Sequence, residues 1–137
     1  MIDPVPGLVI EYPYLWRWQD LGGETEGRKD RPTCLVFAVK GKADGLTHLA
    51  LLAISSTPPR AGQTVVAIPE AERKRAGLDP AKPAWITVSE WNHDVLERSF
   101  YLAGNPRRYG RFGEAFLRQI LGAFRPFLGT GERVDRR

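Results

Sequence analysis

Residues 32–55 hold two apolar, β-rich runs separated by turn chemistry, and this pairing constrains the fold more than any other feature of the chain. Pro32-Thr33-Cys34-Leu35-Val36-Phe37-Ala38-Val39-Lys40 places its proline at the first position, where a strand tolerates it. Gly41-Lys42-Ala43-Asp44-Gly45 supplies a hairpin turn, and Thr47-His48-Leu49-Ala50-Leu51-Leu52-Ala53-Ile54-Ser55 returns as the partner strand. Both runs are nearly continuous in apolar residues, so both faces of the hairpin are expected to be covered in their middles.

Around this hairpin the pattern predicts further short strands. Gly7-Leu8-Val9-Ile10-Glu11-Tyr12 ends at Pro13, Gln63 to Ile68 follows the breakers Pro58, Pro59 and Gly62, and Ala84 to Glu90 follows Pro83. Ser99-Phe100-Tyr101-Leu102-Ala103 reads as a last short strand. Pro69 to Gly77 is punctuated as a helix, with proline in the first turn, Glu70 and Glu72 at the positive end of the dipole, Lys74 and Arg75 at the other, and Gly77 as a left-handed stop. From Phe112 the period changes to 3.6, with Phe112, Phe116, Ile120 and Phe124 on one stripe, which predicts a C-terminal amphipathic helix stopped near Pro126. Tyr14 to Lys29 reads as a long exposed connection, and 129–137 as a frayed, disordered tail.

The resulting expectation is a mainly β fold with α: five to six strands, one short helix after strand four and a C-terminal helix, forming a small, strongly bent barrel. At 137 residues there is room for one core, so 1–128 is taken as a single domain. One cysteine, Cys34, excludes an intramolecular disulfide and reads as a small buried hydrophobe. With only His48 and His93 a Cys/His zinc cage cannot be assembled, and no metal or other cofactor is expected. No signal-peptide pattern and no long apolar span are found, so a soluble cytoplasmic protein with no membrane association is expected. The net charge of +4 is unevenly placed: eleven basic residues stand against twelve acidic up to Asp94, and nine arginines against four acidic residues after it.

Walker, dinucleotide-binding, His-Glu-x-x-His, EF-hand and nucleophile-elbow motifs are absent, which sets aside the ATPase, dehydrogenase and zinc-protease readings. Polar residues at strand ends remain. Arg28, Lys29, Asp30 and Arg31 crowd the start of the strongest strand, and Ser55, Ser56 and Thr57 the end of its partner. A hairpin returns on itself, so Arg31 and these hydroxyls are expected at one end of the sheet. A guanidinium beside hydroxyls suits phosphate; on the other reading Arg31 pairs with Asp30 or Glu90 on a solvated edge. Glu90-Trp91-Asn92-His93-Asp94 is a second polar group, in which His93 is either a proton-transfer group or a hydrogen-bonding turn residue, while His48 looks structural. Tyr14, Trp16 and Trp18 either stack bases or fold back over the barrel.

Taken in order, these segments resemble a known family. Pro6-Gly7-Leu8-Val9-Ile10, Gly27-Arg28-Lys29-Asp30-Arg31-Pro32 entering Cys34-Leu35-Val36-Phe37, and Leu52-Ala53-Ile54-Ser55-Ser56 look like the successive blocks of the MazF/PemK toxins of bacterial toxin-antitoxin systems. Ile68-Pro69, Gly77-Leu78 and the strand ending in Glu90 follow the same order, so the likeness spans roughly residues 6 to 94. It implies an SH3-like barrel, usually a homodimer, acting as a metal-independent endoribonuclease on single-stranded RNA and blocked by an antitoxin protein. Carried over by motif, Arg31 and Ser55 stand at the scissile phosphate, with Ser in place of the family's Thr. Trp91-Asn92-His93 departs from the Gln-x-Arg of many members.

The implied assignment is Arg31 for charge stabilisation, Ser55 for positioning and Glu90 or His93 for proton acceptance, with Arg28, Lys29, Ser56, Thr57, Trp16 and Trp18 holding RNA. A non-catalytic SH3-like module binding nucleic acid or a peptide shares the same residues. An interaction subunit with no nucleic-acid role fits the even charge of residues 1–94.

Overall fold

The computed structural model describes residues 2–27, 29–130 and 133–136. The elements are β1 (Leu8–Tyr12), α1 (Arg17–Leu21), β2 (Arg31–Lys40), β3 (Thr47–Ser55), β4 (Val65–Ala67), α2 (Glu70–Arg75), β5 (Trp85–Thr87), β6 (Trp91–Val95), α3 (Phe100–Ala103), β7 (Arg108–Arg111), α4 (Glu114–Phe124) and β8 (Arg133–Asp135). Short 3₁₀ turns cover Leu96–Arg98 and Arg125–Phe127. The fold is mainly β with short helices.

The strands form one open, branched sheet in the order β4-β5-β3-β2-β1-β7, with β6 on β3 and β8 on β6. All pairings are antiparallel except β6 with β8. Strand β3 is the fork: β2 runs along one edge, while the other edge pairs with β6 at His48–Leu51 and with β5 at Ile54–Ser55.

The pleat sorts the hairpin's apolar residues onto two faces. Val9, Cys34, Val36, Leu52 and Ile54 face one cluster with Ile86, Trp91 and the α4 stripe Phe116, Ile120 and Phe124. Leu8, Ile10, Tyr12, Leu35, Leu49 and Leu51 face the other, with Tyr14, Trp16, Leu96 and Leu102. Both faces of β2 and β3 are therefore covered, as their continuous apolar runs require. Burial of each large α4 side chain contributes about 2 kcal/mol. Helix α2 ends as its punctuation demands: Gly77 has φ +75° and sits against the Tyr109 carbonyl, where a Cβ has no room.

Several segments differ from the sequence expectation. Residues 100–103 form α3, because Ser99 Oγ accepts the Leu102 N–H at 3.3 Å and so caps the start of a helical turn. The connection after Pro13 is no exposed loop at its start: Tyr14, Leu15 and Trp16 are buried, and the Trp16 N–H donates to Gln19 Oε1 at 3.0 Å as α1 begins. Residues 91–95 are a strand, with Asn92 wholly buried and clasping Leu15 through both its amide atoms. The expected frayed tail contains β8, and Arg136 beyond it is buried. With β6, β7 and β8 included, eight strands among the described residues replace the five or six expected.

Candidate functional site

Arg31 opens β2 and Ser55 closes β3. Thr33 pairs with Ala53, which sets these two residues at the same end of the hairpin, two positions further out. They line one cleft of about 290 Å³ together with Lys29, Asp30, Ser56 and Thr57, while the segment between α2 and β5 adds Leu78, Asp79 and Lys82. Ser55 Oγ accepts the Thr57 N–H at 3.0 Å, a hydroxyl turn that folds the three hydroxyl residues around the strand end.

Arg31 is partly buried, and its guanidinium lies 5.0 Å from the centre of the Trp16 ring. Burial pulls its pKa down, and the neighbouring Tyr14 opposes that shift. Its Nε is buried without a hydrogen-bond partner among the described residues. A cation half-stripped of water, with one donor unused, is poised for an anion.

A second cleft, of about 170 Å³, continues from the first. It shares Lys29, Arg31, Ser55 and Thr57, and adds Trp16, Trp18, Arg60, Gln63, Trp85 and Thr87. A third, of about 590 Å³, shares Trp18, Arg60 and Gln63 with the second and contains Ser89 and Glu90. The three adjoin as one groove over the hairpin's open end.

Glu90 is in the third cleft, apart from Arg31 and Ser55. It is buried and accepts the Arg17 backbone N–H at 2.8 Å and the Tyr14 hydroxyl at 3.3 Å. A carboxylate at the first residue of a helix satisfies an otherwise orphaned N–H, so Glu90 fixes where α1 starts. Burial, with the Glu90 charge second, holds the Tyr14 phenol well above its ordinary pKa.

His93 is further removed and lines none of the three clefts. Its Nε2 is 2.9 Å from His48 Nδ1 and its Nδ1 is 2.8 Å from Asp135 Oδ1, while His48 Nε2 meets Asp44 Oδ2 at 3.0 Å. Both rings are coplanar to within 3°. This chain of four side chains ties the β2–β3 turn to β8 and leaves no ring nitrogen of either histidine uncommitted. Arg28 lies outside the described residues.

The structure thus brings together Arg31, Ser55, Ser56, Thr57, Lys29, Trp16 and Trp18, and puts Glu90 in the next cleft and His93 elsewhere. Sequence reasoning missed Arg60, Gln63, Asp79, Lys82, Trp85 and Thr87. Only Pro58-Pro59-Arg60, a breaker pair directing the chain back across the strand end, carried a local signal. Among the described residues no three His, Cys, Asp or Glu side chains are grouped as a metal site needs, and no helix is long and apolar enough to cross a membrane. No protein-family model, curated protein or solved structure gives a significant match to this chain.

Proposed function

We propose that the chain is a MazF/PemK-like toxin with an SH3-like barrel, a metal-independent endoribonuclease that cleaves single-stranded RNA in the cytoplasm and is held in check by an antitoxin protein. The observation that supports this reading is the cleft where Arg31, with its unused Nε, meets the Ser55–Thr57 hydroxyls. In the proposed reaction the ribose 2′-oxygen forms a bond to its own adjacent phosphorus and the bond to the 5′-oxygen breaks. The products are a cyclic phosphate and a 5′-hydroxyl.

The nucleophile belongs to the substrate, so the protein's task is to hold the phosphate and offset the charge gathering on its oxygens. Arg31 takes that role through its planar fork, and Ser55 positions the phosphate. Burial loosens the hold of the Arg31 guanidinium on its proton, in the direction that favours donation to the leaving 5′-oxygen. The carboxylates that share the cleft with Arg31 are Asp30 and Asp79, which replace Glu90 and His93 as the nearer candidates for proton acceptance.

Cleavage of a single-stranded RNA in the presence of chelator tests this reading. Arg31→Ala is expected to lower the rate about 100-fold or more, and Ser55→Ala about tenfold. Full activity in a folded Arg31→Ala variant overturns the assignment. A second reading, a non-catalytic nucleic-acid-binding module, is favoured by the commitment of Glu90 and His93 to structural contacts. Steeply salt-dependent binding without cleavage is its signature.

A further inference from the structure

His48 and His93 stand diagonally across the β3–β6 pair on one face of the sheet, since Val95 is opposite His48 and Ala50 opposite His93. Three contacts run through them in series. Asp44 Oδ2 meets His48 Nε2 at 3.0 Å, His48 Nδ1 meets His93 Nε2 at 2.9 Å, and His93 Nδ1 meets Asp135 Oδ1 at 2.8 Å. Each of these hydrogen bonds needs one proton, and an ionised carboxylate can only accept. Asp44 is such an acceptor, because the Leu46 N–H, ahead of the His48 ring, holds its carboxyl below the usual carboxylate range. The protons therefore come from the two rings.

Two neutral imidazoles carry two ring protons and two imidazoliums carry four. With two, one of the three contacts sets lone pair against lone pair, whichever tautomers the rings adopt. With four, the contact between the rings sets N–H against N–H. Three protons, which is one positive charge shared by the pair, satisfy the whole chain. The charged groups around the rings are engaged elsewhere or beside them. Arg133 Nε lies 3.0 Å from Asp135 Oδ1, and Glu97 accepts the Thr47 N–H and hydroxyl at 2.7 Å each, with Lys40 acting on it. Lys42 completes the charges of the hairpin turn. Asp94, on the opposite face of β6, accepts from the Tyr12 and Ser99 hydroxyls, and Arg136 donates to the Pro13 carbonyl.

We propose that His48 and His93 form a one-proton latch that fastens β8 to β6 within the histidine pH range and releases it on either side. A closed latch holds three ring protons, whereas rings released to water hold two above about pH 6.5 and four below it. Opening thus releases a proton on the alkaline side and takes one up on the acid side, so latch stability peaks between them. The His93 and His48 side chains are 12% and 30% exposed, which lets water reach these protons. The effect extends to α1, because β8 braces the chain on both sides of its start. Arg136 Nη1 donates to the Pro13 carbonyl at 2.6 Å, and Arg17 Nη1 donates to the Arg133 carbonyl at 3.3 Å. Trp16 and Trp18 in that segment wall the second cleft, so the latch makes this wall pH-dependent whether or not the cleft holds RNA.

Amide hydrogen exchange of the full chain, read by NMR from about pH 5 to 9 and corrected for the intrinsic exchange rate, tests the latch. The probe is the Arg136 N–H, which donates to the His93 carbonyl at 2.8 Å. Its protection is expected to peak within the histidine range and to fall about tenfold on each side, the loss of one charge-assisted hydrogen bond. The Arg17 N–H, which donates to Glu90 Oε2, is expected to follow it. In His48→Gln the side-chain amide offers His93 Nε2 either a donor or an acceptor and does not titrate, so the peak is expected to flatten into a plateau. Circular dichroism checks that the variant is folded. Independently of any variant, ¹H–¹⁵N correlation spectra of the histidine rings count their protons. Three protons across the four ring nitrogens at the peak support the latch, and two or four overturn it. A flat profile in the wild type, or an unchanged peak in folded His48→Gln, also overturns it. A peak at Arg136 with none at Arg17 overturns the bracing of α1.

Discussion

The C-terminal segment is the sharpest place to test the energetics of this fold, and Arg136→Ala is the perturbation. Arg136 is 4% exposed; its Nη1 donates to the Pro13 carbonyl at 2.6 Å and to Asn92 Oδ1 at 3.1 Å. Its guanidinium lies 5.3 Å from the ring centres of both Tyr12 and Tyr101. Two charge-assisted hydrogen bonds and two cation–π contacts contribute about 5 kcal/mol. Against this stands the cost of taking the guanidinium out of water, about 2 kcal/mol of which the alanine variant recovers. Asn92 Oδ1 keeps the Leu15 N–H in the variant, while the Pro13 carbonyl is left without this donor.

The net expectation is a loss of about 3 kcal/mol, or roughly 10 °C in Tm for a domain of this size. Equilibrium urea unfolding followed by tryptophan fluorescence measures it. Arg133→Ala is the internal control, since Arg133 is exposed and its pair with Asp135 at 3.0 Å is worth under about 1 kcal/mol. If Arg136→Ala lies within about 0.5 kcal/mol of wild type, or if the control costs as much, the reasoning that makes this arginine an anchor fails.

Two further outcomes follow from buried groups. Burial, with Asp94 beside one and Glu90 beside the other, holds the Tyr12 and Tyr14 phenols well above their ordinary pKa in the folded chain. The unfolded chain releases these protons near pH 10, so stability from these two groups is full below that pH. It is expected to fall above it by about 2.7 kcal/mol per pH unit, checked by urea midpoints between pH 9 and 11. Cys34 is wholly buried and burial raises its thiol pKa, so a colorimetric thiol reagent at neutral pH is expected to label it only upon unfolding. Rapid labelling of the native protein contradicts that burial.

What the sequence made legible was whatever depended on local period and chain return. The two-faced hairpin, the α4 stripe and the meeting of Arg31 with Ser55 each follow from alternation, helical spacing or the geometry of a reversal. What was illegible depended on partners far along the chain. Tyr14, Leu15 and Trp16 look like a loop until Asn92 and Glu90, more than seventy residues later, supply their hydrogen bonds. Segment 133–136 offers a single apolar side chain, Val134, and its order comes from Arg136 reaching Pro13, 123 residues away. Glu90 shows the same dependence: it stands as a carboxylate after a strand, and the helix start it supports lies more than seventy residues earlier.

The fork at β3 also fixes an order of assembly. Only β2 and β3 are joined by a short turn, residues 41–46, whereas β1–β2, β4–β5, β3–β6 and β6–β8 each close over a longer stretch of chain. Loop closure is cheapest for the short turn, so the hairpin zips from residues 41–46 outward, before β5 and β6 divide its far edge between them. Arg31 and Ser55 stand at the end of that zipper most distant from the turn. They come together last as the hairpin forms and part first when it frays, so the cleft they line depends on a complete hairpin.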